Sequence, residues 1–446
     1  MAARAGGPRK ALLYYTRAVR SRRITQAIAR ALPVILSAAS VTAQPPAPEL
    51  APLTAGLVTS VERFTADEGQ PPVEIQFHLN PAAGAAQSQR VVDTTRAALR
   101  LFGEWFGPYP FDRLTVIDVP WRSPLAGTPY PGVALVRTRW LAPVNDLALE
   151  RGLIGAIARQ YWTLSRSDPM DARESLTDAV VLYAATRAIH ADLEGRHFAT
   201  YRFFGGFVPF VTRSIAWSPR AADPNPRLRR FPELETSAAP DRDTLRALLA
   251  IQTLERYVGW PALQQALLAF RERALTIGSD SAGLVGLLGK QQGRDLSWFL
   301  HEAFRPDTRF DYAVSAFTSD ALPGSSGFAT HVEFRRLGDA VFAGTSRPRI
   351  AELDKARSLP ISVTFADGTV IDEWWDGRDA ELTVRYVSKS RAARAGVDPA
   401  AMLLLDADRA NNTRAIDPRP DPIGARLSLH WLVWLQDLML TCTALA

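Results

Sequence analysis

Residues 147–188 read LALERGLIGAIARQYWTLSRSDPMDARESLTDAVVLYAATRA, two apolar-striped segments around a polar break. In the first, Leu149, Leu153, Ile157, Tyr161 and Leu164 recur at three- and four-residue steps. That period predicts a helix over Leu147–Leu164, with Asn145 or Asp146 as its cap. In the second, Leu176, Val180, Tyr183 and Ala184 share a stripe, which predicts a helix over Ala172–Ile189. Ser165-Arg166-Ser167-Asp168-Pro169 between them has the composition of a helix break.

Within this pair, Ile154-Gly155-Ala156-Ile157-Ala158-Arg159-Gln160-Tyr161-Trp162 resembles the zinc helix of a known family. The family is aminopeptidase N (membrane alanyl aminopeptidase), of the gluzincin zinc metallopeptidases. Its pattern is H-E-x-x-H-Q-W followed, after a gap, by a Glu on the next helix. Two His four residues apart lie on one helical face and reach one metal, and the intervening Glu serves as general base. The gap here is eighteen residues, between Arg159 and Asp178. Leu176-Thr177-Asp178-Ala179-Val180-Val181-Leu182-Tyr183 stands where the family has L-D-E-G-L-A-E-Y.

The resemblance therefore places the first ligand at Gly155, the general base at Ala156, the second ligand at Arg159 and the third at Asp178. Gly and Ala offer no donor atoms, and Arg stays protonated and cannot ligate. One carboxylate alone does not hold zinc. The expectation is a retained frame with catalytic and metal residues gone, and the family's zinc cofactor lost. Arg159 is expected either to face Asp178 where the metal would lie, or to turn away to solvent, Glu150 or Glu174.

Further segments carry the resemblance outward. Gln89–Phe106 reads as an amphipathic helix through Val92, Thr95, Leu99, Phe102 and Phe106. Gly107-Pro108-Tyr109-Pro110-Phe111 and a predicted strand, Leu114–Val119, follow. Ala126-Gly127-Thr128-Pro129-Tyr130-Pro131-Gly132, before the strand Val133–Val136, is similar to the family's G-x-M-E-x-P-G edge segment. The resemblance makes Thr128, Pro129 and Tyr130 candidate substrate-binding positions. Pro129 stands where relatives have the Glu that binds a free amino terminus, and Pro has neither charge nor N–H. The family's transition-state Tyr falls near Thr244, whose hydroxyl is several Å too short for that role. The strands read at Leu57–Phe64 and Val73–Leu79 leave room for only a remnant of the family's opening β-sandwich.

Downstream, Tyr201–Arg230 reads as a loop-rich excursion. Helices are predicted over Asp241–Val258, Trp260–Leu275, Asp280–Lys290 and Asp295–Phe304. Strands are predicted over Phe310–Phe317, Thr330–Arg336, Ile361–Phe365, Thr369–Trp374, Leu382–Tyr386 and Met402–Leu405, with hairpin signals at Asp367-Gly368 and Asp376-Gly377. The resemblance implies a small C-terminal β-module here, including Val397-Asp398-Pro399 and Asn411-Asn412.

The 446-residue chain is 47% hydrophobic and 22% charged, an ordinary globular balance. Four Lys among 52 basic residues point to a GC-rich, bacterial coding genome. A lone Cys442 excludes intrachain disulfides and Cys-based metal sites. The net charge is +6, but residues 1–30 hold eight basic side chains and no acid precedes Glu49. The remainder is therefore near neutral, and nothing points to nucleic acid. Basic residues, then uncharged Ala31–Ala43 ending Val41-Thr42-Ala43, read as a secretory leader. The alternative is a disordered basic arm. Leu427–Ala446 carries only His430 and Asp437 as ionisable groups. It reads as a membrane helix or truncated anchor, an interfacial helix, or a buried one.

The expected organisation is α+β. A basic leader (1–43) and a Pro-rich linker (44–56) precede a mostly helical, thermolysin-like (gluzincin) domain with a small β-sheet (57–308). A β-sandwich module (309–415) and a hydrophobic end (416–446) follow. The expected function is that of a pseudopeptidase binding a peptide or protein partner at the cell envelope, exported to the periplasm or membrane-anchored. Two alternatives stand beside it. One is a working zinc aminopeptidase with unusual ligands such as His190, His197 and Asp178; the other is a structural subunit of a membrane complex.

Overall fold

Alternating apolar residues build the first sheet. Strands β1 (Val58–Phe64), β2 (Val73–Leu79), β3 (Arg113–Asp118) and β4 (Val133–Val136) lie side by side in that order. β1 and β2 are antiparallel, whereas β2, β3 and β4 run parallel. A parallel step needs a crossover, and helix α2 (Ala85–Phe106) lies in the link between β2 and β3, after the short α1 (Ala51–Thr54). Val73, Ile75, Phe77 and Leu79 of β2 share one buried cluster with Val91, Ala98, Leu99 and Phe102 of α2. On the opposite sheet face Ile117, Val119, Val133 and Leu135 form a second cluster, with Leu53, Leu57 and Tyr130 packed on it. A sheet buried on both faces is typical of parallel strands.

The computed structural model describes residues 51–66, 69–120, 123, 130–137, 148–162, 174–193, 202–203, 208–209, 242–277, 281–305, 307–324, 326–342 and 358–417. The basic leader, the break at 165–169, the excursion apart from β5 (Arg202–Phe203) and β6 (Val208–Pro209), and the segment Leu427–Ala446 lie outside them. No helix among the described residues is long and apolar enough to cross a membrane.

Helices α3 (Ala148–Trp162) and α4 (Glu174–Leu193) fall where the apolar stripes place them, and they pack on each other. Helices α5 (Arg242–Val258), α6 (Trp260–Ile277), α7 (Ser281–Gln292) and α8 (Ser297–Ala303) follow. α2 ends at Gly107, which takes a left-handed φ of +83° and donates its N–H to Gly103 O. Gln264 and Arg271 of α6 donate to the freed carbonyls of Trp105 and Phe106. A cation at a helix C-terminus is favourable.

Two antiparallel sheets complete the described chain. One has the order β11 (Glu381–Ser388), β8 (Phe328–Arg336), β7 (Tyr312–Ala321); the other β10 (Val370–Trp375), β9 (Leu359–Phe365), β12 (Ala392–Val397), β13 (Thr413–Ala415). Their inner residues, including Phe317, Val332, Phe334, Ile361, Val363 and Phe365, join the core that runs on through the helices.

Three expectations are corrected. β1 and β2 are not a sandwich remnant: they continue the sheet of β3 and β4. The linker from 44 to 56 includes a helical turn at Ala51–Thr54. Met402–Leu405 is not a strand, because its N–H groups are taken elsewhere. Asp398 accepts those of Met402 and Leu403 at 2.8 Å each, and Thr253 Oγ1 accepts that of Leu404 at 3.1 Å. The strand lies instead at Ala392–Val397, whose small residues carry little β signal.

The loop from Asp398 to Asn412 joins helices to sheets around a buried acid. Asp406 is fully buried and accepts from Tyr312 N at 3.2 Å, Asn412 Nδ2 at 3.1 Å and Asp408 N at 3.1 Å. Burial pushes its carboxyl up to about 7 from an ordinary 3.8, against the pull of those bonds. The folded chain therefore keeps a proton that the unfolded chain releases between about pH 4 and pH 7. This contribution is full at acid pH and lost as pH rises through that window. Burial raises Asp398 as well, in the same sense. Urea titrations should show unfolding free energy declining from about pH 4.5 to about pH 7.5, with Asp406→Asn removing up to about 4 kcal/mol of that decline. Parallel pH profiles for the two proteins would refute the assignment.

Candidate functional site

α3 is buried around most of its circumference. Leu149, Leu153, Ile154, Ile157, Ala158, Tyr161 and Trp162 are all in the core. The remaining stripe is Gly152, Gly155, Ala156 and Arg159, spaced three and four residues apart and at least partly exposed. Among the described residues, apart from the chain neighbours and the helix's own backbone, no atom lies within 4 Å of where a Cβ would stand at Gly152 or Gly155. This face of the helix is open among the described residues.

Asp178 of α4 meets that stripe. Arg159 donates from Nη1 to Asp178 Oδ1 at 2.6 Å, and the side chains are 31% and 38% exposed. The ion pair therefore forms, and the turn toward Glu150 is not taken; the Glu174 side chain lies outside the described residues. Glu150 instead receives two bonds from Arg90, at 2.7 and 2.9 Å. A half-exposed pair contributes little to stability.

Zinc does not fit these residues. Positions 155 and 156 hold no donor atom, position 159 is a cation, and Asp178 is already engaged by it. Among the described residues no three His, Cys, Asp or Glu side chains gather closely enough to hold a metal ion. The alternative ligand His197, and the His190 side chain, lie outside those residues.

The stronger tie is one residue on. Gln160 is 2% exposed. Its Oε1 accepts from Gly132 N at 2.8 Å, and its Nε2 donates to Tyr130 O and Val133 O, each at 3.1 Å. One side-chain amide thus satisfies three backbone groups at the start of β4 and seats α3 against it. Sequence reasoning quoted Gln160 in the motif and gave it no role; an isolated Gln in an otherwise apolar helix face was the available signal.

Trp162 is 5% exposed and packs edge-on to Phe106, ring centres 5.3 Å apart, so it belongs to the core. Tyr130 packs onto the second cluster beneath the sheet. Thr128, Pro129 and the Phe203 side chain lie outside the described residues. Thr244, at the start of α5, is 3% exposed.

Behind α4, Arg187 pairs with Glu255 of α5 and stacks over Trp260 of α6, its guanidinium carbon 3.6 Å from the ring centre. Tyr183 donates to Glu255 Oε2 at 2.7 Å. Burial and that carboxylate raise the Tyr183 hydroxyl well above its usual range, so it stays a donor. This network and the apolar contacts hold α4 independently of Asp178.

No protein-family model and no curated protein matches the chain. Among solved structures it is similar to "Crystal structure of Legionella pneumophila aminopeptidase A in complex with aspartic acid", at 13% identity and a TM-score of 0.47. The match covers 76% of this chain and 37% of that one. At that similarity it carries no conclusion about activity.

Gln160→Leu should lower the unfolding free energy by about 2–4 kcal/mol, since it strands the buried Gly132 N–H and Val133 carbonyl, while Tyr130 O keeps its bond from Val133 N. Arg159→Ala and Asp178→Ala should each cost below about 1 kcal/mol. Urea denaturation followed by circular dichroism measures both, and the reverse ranking would sink this division of labour.

Proposed function

We propose that the chain is a non-catalytic relative of the aminopeptidase N family, a pseudopeptidase. In this reading 57–308 corresponds to the thermolysin-like domain and 309–415 to the C-terminal β-sandwich. The observation that carries it is the Arg159–Asp178 ion pair, formed between two helices at the two family ligand positions that still hold charged side chains. A guanidinium takes the place of the second zinc ligand, and the base and first ligand are reduced to a methyl and a hydrogen. Such a centre cannot activate water through a metal; what it keeps is an open helical face beside an edge strand. The remaining work is binding, of a peptide or a protein partner. The basic leader and the apolar end of the chain support placing that work at the cell envelope.

Full-length protein purified from zinc-supplemented culture should contain no stoichiometric zinc by plasma mass spectrometry and should not cleave aminoacyl p-nitroanilides. One tightly bound zinc per chain, or turnover stopped by a chelator, would refute the reading. The combined change Gly155→His, Ala156→Glu and Arg159→His should create zinc binding that Asp178→Ala then weakens, because Gly155 faces open space and α4 is already in place. Failure of the combined variant to bind zinc while remaining folded would count against the inherited frame.

A further inference from the structure

Three arginines among the described residues hold the interior of the fold together. Arg246 is 2% exposed and donates to Ala303 O at 3.0 Å and to Thr308 Oγ1 at 2.8 Å. Arg90 places two donors on Glu150 and one on Gln87. Arg187 is paired and stacked. In each, the guanidinium holds elements of the fold to one another.

Arg159 differs. A guanidinium has five N–H donors in a planar fork, and this one uses Nη1 on a single oxygen of Asp178. Among the described residues neither side chain has another partner. The unused edge, Nε and Nη2, can present two parallel N–H groups. It projects from a helix locked by Gln160, so its root is rigid. The open surface over Gly155 lies one turn before it on the same face.

We propose that Arg159 is a carboxylate receptor, its free edge taking the carboxylate of a bound peptide in a bidentate fork while Asp178 holds the opposite edge. Two parallel N–H donors match the two oxygens of a planar carboxylate. A phosphate dianion suits the place less well, because it would bring a double charge against Asp178, already 2.6 Å from the same guanidinium. The peptide nature of the ligand rests on the pseudopeptidase reading; the demand for a carboxylate rests on Arg159 itself. The carboxylate is the peptide's own terminus or an acidic side chain.

Isothermal titration of the full chain with three peptides separates these. The probes are acetyl-trialanine, acetyl-trialanine amide and acetyl-Ala-Asp-Ala amide. Either carboxylate-bearing peptide should bind at least about tenfold more tightly than the neutral amide, the ratio expected for one charge-assisted contact. Preference for acetyl-trialanine identifies the terminus, and preference for the Asp peptide identifies the side chain. Arg159→Gln should erase the preference with circular dichroism and urea midpoint nearly unchanged. Arg159→Lys should keep only part of it, since Lys has no fork. Equal affinity for all three peptides, no binding of any, or a preference that survives Arg159→Gln overturns the proposal. Zinc content and turnover of the same preparation are read separately. A zinc-free, inactive chain indifferent to the carboxylate overturns this inference alone.

Discussion

The fold depends on a primary amide. Gln160 is almost fully buried, and its two ends satisfy three backbone groups at the start of β4. Buried backbone groups must be paired, and the last strand of a parallel sheet has one side without a neighbour. A side chain that donates and accepts at once is suited to that edge; an apolar residue would leave Gly132 N and Val133 O stranded. By seating α3 on β4, Gln160 fixes which stripe of α3 stays uncovered, and so where Arg159 and the open glycine positions project.

This separates what holds the helices from what they present. α3 and α4 are held by Leu153, Ile157, Tyr161, Val180 and Tyr183 in a common core. α4 is further anchored behind by Arg187, Glu255 and Trp260. Arg159 and Asp178 sit at the rim, half in water, where an ion pair adds little. A scaffold of this kind tolerates changes at the rim because its stability resides in the core. The same logic leaves the guanidinium's second edge available for a ligand.

The junction with the sheets follows another rule. The loop from Asp398 to Asn412 contains buried carboxylates that accept backbone N–H groups in place of a strand ladder. Desolvation opposes their ionisation, and the bonds they accept only partly offset it. Met402–Leu405 within it is apolar in sequence and mostly buried, yet not a strand.

Periodicity alone placed the helices from α2 to α8 to within a few residues, along with most strands, because each buries one continuous stripe or alternating face. The four-residue spacing of Gly155 and Arg159, with Asp178 nineteen positions after Arg159, made the ion pair one of two expected outcomes. The rest needed three dimensions. Membership of β1 and β2 in the sheet of β3 depends on pairing partners far apart in the chain, which local pattern does not encode. Ala392–Val397 became a strand through its neighbours β9 and β13, not through its own weak propensity. Gln160 is one polar letter in an apolar helix until β4 arrives beside it. Sequence determined which residues cannot ligate a metal, since that is a property of atoms; tertiary structure decided what they touch, since that is a property of distance.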